Sequence, residues 1–259
     1  MNTFIALSKK EINQMISEYK IIWLPIVFVL LGLTQPIMMY YLPLILETLG
    51  GVEGIIIDPT MTKPMGSEVL ASTLNSQFDQ LGIIVLVVAV MSVIQSEKAN
   101  GMLAFILTRP VSISSYIGSK IFTHYLLAVL CIAIGYTVSY GYTAYLFTPI
   151  PISQMILALV LYSIWVLFVI TFVVMMSTFF TSPAFIALIS IVFLLISRLC
   201  AGLHPIIDTF NPASMSLRAT SILITGNLDA SWTIDIIATL LIIFVMMTIM
   251  HNWIAKKKF

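Results

Sequence analysis

The chain has 259 residues, 60% hydrophobic and 9% charged, with a mean hydropathy of +1.08 and a formal net charge of +1. A soluble domain carries about 25% charged residues, so this chain lacks the polar surface to cover a water-soluble globule of its size. The composition excludes a soluble protein, gives no footing for a nucleic-acid partner, and points to an all-α polytopic membrane protein.

The first twenty residues, MNTFIALSKKEINQMISEYK, are mixed and partly charged, with no evident cleavable signal peptide. Phe4, Ile5, Ile12, Met15 and Ile16 roughly share one helical face, with Lys9, Lys10, Glu11 and Glu18 elsewhere. That pattern predicts an interfacial helix over 1–20, lying along the inner membrane surface. A spanning helix needs about 20 apolar residues to cross about 30 Å of hydrocarbon. Residues 21–46 are the first such run, interrupted by Pro25, Pro36 and Pro43. Gln35 and Thr34, beside Pro36, either line a cavity or mark a structural kink. Residues 47–77, rich in Gly, Pro, Ser and Thr, read as a loop. The second run covers 78–94, but only 81–94 are purely apolar, which places Asp79 and Gln80 at or just inside one interface. Asp79 reads as an interfacial anchor or as part of an outer gate or cavity lining.

Residues 96–120, SEKANGMLAFILTRPVSISSYIGSK, interrupt the apolar sequence with Glu97, Lys98, Arg109 and Lys120. Asn100 suits a helix start, and Met102, Leu103, Phe105, Ile106 and Leu107 follow as a compact apolar cluster. Arg109-Pro110 ends this short helix, because proline disfavours α geometry before it and cannot continue the ladder. Ser112 or Ser114 can cap the next span. Large apolar side chains on a water-facing segment mark a binding surface or rest on lipid headgroups; the residues alone leave both open.

The third run covers 115–147. Tyr136, Tyr140, Tyr142 and Tyr145 crowd its second half, as in an interfacial aromatic belt. Tyr136 and Tyr140 also share a face beside Gly135, Ser139 and Gly141, which suits a dimer seam or cavity wall. The fourth and fifth runs cover 152–180 and 183–203. Arg198 lies near the end of the fifth, where it either pairs with an acid such as Asp79 or Asp208, snorkels outward, or touches substrate. The loop 204–231 carries a predicted short helix over 213–224, capped by Asn211 with Pro212 at its first position. The sixth run covers 232–254. These runs exceed the 9–11 residues of a barrel strand and do not alternate.

Six spans put both termini on one side, and the charges choose that side. Lys9, Lys10, Lys20, Lys98, Arg109, Lys120 and Lys256 to Lys258 face only Glu11, Glu18 and Glu97, a balance of +6. The opposite side carries Lys63, Arg198 and Arg218 against eight acids, a balance of −5. Lysine and arginine accumulate on the cytoplasmic side. Both termini and the 96–120 segment are therefore expected to be cytoplasmic, with 47–77 and 204–231 outside and the whole chain forming one transmembrane domain.

No phosphate-cradling GxxxxGK[ST] loop is present, and Gly118-Ser119-Lys120 lacks both the upstream glycine and the following hydroxyl. His124, His204 and His251 are scattered, and Cys131 and Cys200 sit in apolar runs, so no metal, cofactor or catalytic site is expected. The thioethers of the fifteen methionines suit copper(I), but methionine is an ordinary flexible filler of apolar helices, and that is the reading taken for them.

The order of elements resembles the permease subunit of type-2 ATP-binding-cassette exporters. The residue pattern carrying the resemblance is Glu97, Gly101, Leu103, Leu107, Arg109-Pro110, Ser114, Tyr116 and Lys120. The resemblance implies that Glu97, Gly101, Leu103, Phe105, Leu107, Arg109 and Pro110 form a coupling helix and turn that insert into a separate ATPase subunit. ATP and Mg would then be bound by that partner, in two copies beneath a permease homodimer, and this chain would hydrolyse nothing itself. It further implies export of an amphipathic or hydrophobic substrate (peptide, antibiotic or lipid) across a bacterial plasma membrane. Gln35, Asp79, Tyr136, Tyr140 and Arg198 are the residues read as a possible path or gate. A second contact, through the span four to five loop, is in doubt here because Thr181-Ser182 carries no charge. The rivals are an ATP-independent secondary transporter, which needs paired charges near mid-depth, and a non-transporting scaffold or regulator.

Overall fold

A computed structural model describes residues 3–49, 64–108, 111–227 and 232–256. Every regular element among them is helical. Six helical runs are long and apolar enough to cross a membrane: Lys20–Ile45, Gly66–Ala99, Ile113–Leu146, Ile152–Phe179, Pro183–Cys200 and Trp232–Lys256. All six sequence runs are therefore present as helices.

Helix α1 (Thr3–Ser17) precedes α2 (Lys20–Leu49), and Tyr19 joins them with a positive φ of 56°. Helix α2 contains Pro25, Pro36 and Pro43 yet continues through all three. The second run is composite: α3 (Gly66–Ser72), a π-helical stretch (Thr73–Gly82), α4 (Ile83–Val90), a turn, and α5 (Gln95–Ala99). It begins twelve residues earlier than the sequence reading placed it, so 66–77 is helix rather than loop. Glu68 explains the start: its Oε2 accepts from the Met65 N–H at 3.0 Å, the acidic half of a capping box. Leu70, Leu74 and Phe78 then recur every four residues, and all are buried.

Helix α6 (Met102–Leu107) is followed by α7 (Ile113–Leu146), whose N-cap Ser112 accepts from the Ser115 N–H at 3.2 Å. Helix α8 (Ile152–Phe179) is the core helix. It packs on α4, α7, α9 (Pro183–Cys200), α11 (Ser214–Thr225) and α12 (Trp232–Lys256), and it buries Trp165, Val169, Ile170, Val173 and Val174. The 204–231 region holds α10 (Pro205–Phe210), absent from the sequence reading, and α11. Asn211 Oδ1 accepts from the Ala213 N–H at 3.1 Å in the turn before α11, but the N-cap is Ala213 and the helix begins at Ser214, so Pro212 is not its first residue. Helix α11 is mostly buried against α3 and α8.

Helices α2 and α7 cross closely where glycines remove the side chains. A Cβ at Gly135 would strike the Phe28 carbonyl, and one at Gly32 would strike the Gly135 carbonyl. A Cβ at Gly141, two turns further on, meets nothing within 4 Å. The small residues of α7 thus serve, at Gly135, a seam within the chain. Replacing Gly135 by Ala is expected to destabilise the fold by about 1–3 kcal/mol through overpacking. Gly141→Ala should instead stabilise it by about 0.5–1 kcal/mol, the ordinary helix-propensity gain. Unfolding in detergent micelles compares the two, and equal responses would refute the close-crossing account.

The lipid-facing character of the surface follows from what is left exposed. Helix α9 buries only Ile186, Ser190 and Leu194, one stripe at four-residue spacing, and turns Leu188, Val192, Ile196 and Leu199 outward. In a bilayer that arrangement costs nothing, because lipid tails are as apolar as the side chains they touch.

Candidate functional site

Charged side chains gather at the two ends of the bundle. At one end, α1, α5 and α7 meet around Glu97. Lys10 donates to Glu97 Oε1, and the Tyr116 hydroxyl donates to Oε2 at 2.5 Å. Lys120 Nζ lies 3.1 Å from Glu97 Oε1 and donates to Glu11 Oε1 at 2.9 Å and to the Val93 carbonyl at 3.1 Å. Glu11, Glu97, Tyr116 and Lys120 are all buried. Two acids and two bases balance, so the burial is of paired charge. Burial opposes the charged form of Lys10, but its hydrogen bond to Glu97 and the two nearby carboxylates outweigh this and raise its pKa above the ordinary lysine value. Burial likewise opposes charge on Glu18, and hydrogen bonds from Lys20 and Gln14 overcome it, lowering its pKa.

The same α5 is clipped to the turn between α8 and α9. Lys98 Nζ donates to the Thr178 and Phe180 carbonyls at 2.9 and 2.6 Å, and Gln95 Nε2 donates to the Thr181 carbonyl at 2.7 Å. Ser177 Oγ accepts from the N–H groups of Ile94 and Gln95 at 3.1 and 2.9 Å. The end of α8 and the turn after it are thus tied to α5 within the chain, through the Thr178, Phe180 and Thr181 carbonyls.

Several site residues fall differently from the sequence reading. Asn100 is the C-cap of α5, not a helix start, and Gly101 turns the chain in the left-handed region at φ 69°. Leu103 is only 1% exposed, so it anchors α6 in the core instead of facing water. Glu97 is likewise buried, so its side chain cannot serve as a contact surface. Met102 and Phe105 are the large apolar side chains that α6 presents outward, 45% and 59% exposed. Leu107 closes α6, while Arg109 and Pro110 lie outside the described residues. On α1, Ile5, Ile12 and Ile16 point outward as expected, but the packed side is carried by Glu11, Met15 and Phe4, whose ring meets Phe122 at 5.9 Å.

At the opposite end, Asp79 sits in the π-helical stretch and is 0% exposed. Arg198 Nε donates to its Oδ2 at 2.6 Å, Ser216 donates to the same oxygen, and Arg198 also donates to Asn75. The Arg198–Asp79 pair is one of the alternatives left open by the sequence. Asn75 and Ser216 were not legible there, because nothing in the local sequence marks a partner a hundred residues away. Gln35 Oε1 accepts from Gln77 Nε2 at 3.1 Å and Ser76 Oγ at 3.3 Å, so it ties α2 to the π-helical stretch. Arg218 and Asp235 pair at 2.9 Å between α11 and α12. Tyr136 is fully buried rather than belt-like, and the Tyr140 hydroxyl donates to the Ile150 carbonyl at 2.9 Å. Tyr142 and Tyr145 remain exposed. Among the described residues no group of three or more His, Cys, Asp or Glu is placed to hold a metal ion.

The helices and the paired charges at their two ends define a polytopic all-α membrane protein. No family model matches the chain. It is 35% identical over 227 residues to "Uncharacterized transmembrane protein YxlG" of Bacillus subtilis (strain 168), with 87% of each protein covered. The chain belongs to the family of that transmembrane protein.

Proposed function

We infer that the chain is the permease subunit of a type-2 ATP-binding-cassette exporter. In this reading α1 is the interfacial helix, α6 is the coupling helix, and both face the cytoplasm with the termini of a bacterial plasma-membrane protein. A separate ATPase, in two copies beneath a homodimer of this chain, supplies ATP, Mg and hydrolysis. The cargo is an amphipathic or hydrophobic molecule leaving the cell.

One observation carries this reading: the segment 95–108 is at once exposed and clamped. Met102 and Phe105 face outward on α6, while Glu97, Lys98 and Gln95 bind the preceding turn to α1, α7 and the α8–α9 turn. A force applied to α6 is therefore delivered to the ends of several spans together. A helix that merely rested on lipid headgroups would need no such bracing.

An ATP-binding-cassette ATPase is expected to be encoded beside the chain, and the test is co-purification with it. The variant Met102→Asp with Phe105→Asp is expected to lose ATPase association at least about tenfold, the loss of one or two buried apolar anchors, while membrane insertion survives. Retained association would reject the docking role of α6. The rival, ATP-independent transport, needs paired charges near mid-depth, whereas Arg198 and its partner Asp79 lie toward one end of the bundle. Substrate movement by the chain alone in vesicles free of ATPase would select that rival.

A further inference from the structure

Away from both charged clusters, α7 and α12 leave a groove of about 440 Å³ between the start of one helix and the end of the other. Its lining changes character along its length. Ile117, Phe244 and Met247 form the apolar part, and Ser114, Thr248, His251 and Asn252 form the polar part. The order follows from helical spacing. Phe244, Thr248, Asn252 and Lys256 are each four residues apart on α12 and so share one face. That face passes from aromatic to hydroxyl to amide to ammonium as the helix leaves the membrane.

The groove is thus graded as a phospholipid is graded. No carboxylate lines it, in contrast to the Glu97 cluster, where every cation already has an acid. Ser114 Oγ lies 3.1 Å from His251 Nδ1. With Ser114 donating, the imidazole carries its proton on Nε2 and offers a further donor. Asn252 adds an amide N–H, and Lys256, one turn further along the same face of α12, adds a positive charge beyond the lining. Hydrogen-bond donors and one cation above an apolar trough match a phosphodiester that bears net negative charge above an acyl chain. A zwitterionic headgroup brings its own ammonium, which finds no anionic partner among these lining residues.

We propose that the α7–α12 groove is a binding site for an anionic phospholipid, with its phosphate held by His251, Asn252 and Lys256. The inference does not rest on the transport reading above. The test uses the full chain purified in neutral detergent. Phosphatidylglycerol is expected to raise the unfolding temperature and to stay bound in native mass spectrometry. Phosphatidylcholine with the same acyl chains, and inorganic phosphate, should do neither. Lys256→Gln should weaken phosphatidylglycerol binding about fivefold, the usual effect of one lysine near an anionic surface, and adding Asn252→Leu should weaken it further. These side chains lie at the surface, so both variants are expected to unfold, without lipid, at the temperature of the parent chain. Equal effects of the two lipids would overturn the proposal, as would variants that bind phosphatidylglycerol normally. A shift reproduced by inorganic phosphate would replace the lipid with a soluble anion and also overturn it.

Discussion

Replacing Arg198 by Met is expected to destabilise the folded chain by about 3–5 kcal/mol, the cost of removing one partner from a buried ion pair. Asp79 has nowhere to go. It is fully buried in the π-helical stretch, and its Oδ2 already takes Ser216. Without the guanidinium, a buried carboxyl group is left inside a membrane span with no cation to pair it. The reverse substitution should be milder. Asp79→Asn keeps an acceptor for Ser216 and leaves Arg198 near the end of α9, where its partly exposed side chain can reach the interface. Its expected cost is about 1–3 kcal/mol, that of hydrogen bonds to a charged group. Unfolding in micelles measures both, and an Asp79→Asn loss as large as that of Arg198→Met would show that the asymmetry of burial does not control the pair.

The location of this pair gives it a structural consequence. A π-helical stretch of ten residues is unusual, since π geometry occurs mostly as single turns within α-helices and often at functional sites. Here Gln35 holds it from α2, Arg198 from α9 and Ser216 from α11. Three separate helices thus fix one irregular segment through polar contacts. A motion that separated any of them would release part of the hydrogen bonding that keeps the second span wide.

What the sequence makes legible divides along physical lines. Span number follows from hydropathy, and some ends follow from local chemistry: Ser112 before α7 and Pro183 opening α9 sit where the residue types place them. Mean hydropathy fails where a helix is polar on one side. Residues 66–77 read as loop because Ser, Thr, Asn and Gln dilute the average, yet Leu70, Leu74 and Phe78 repeat at helical spacing and Glu68 signals a cap. Periodicity would have recovered this helix. Burial within short helices is the harder quantity. Six residues cannot show which of Met102, Leu103 and Phe105 points inward, because that depends on the left-handed Gly101 and on elements distant in sequence. The charge separation between the two ends was legible, and its pairings were not: Lys10 with Glu97 and Glu11 with Lys120 join residues 87 and 109 positions apart.

Lys120→Met is expected to be comparably damaging, about 3–5 kcal/mol, and its effect should reach the 95–108 segment specifically. Lys120 is 1% exposed and touches both carboxylates of the cluster. Removing it leaves Glu11 and Glu97 buried with Lys10 as their shared cation, and two like charges then compete for one partner. Glu97→Gln relieves that competition, so the double variant should recover a large part of the loss; such non-additivity is the signature of a direct interaction. Packing alone gives the opposite expectation, with two additive losses. Hydrogen exchange adds the spatial answer. If Glu97 is what fixes α5 and α6 to α1 and α7, protection at 95–106 should fall in Lys120→Met while the core of α8 stays protected. Uniform loss across the chain would mean that the cluster supports the whole bundle and not the segment through which a partner is proposed to act.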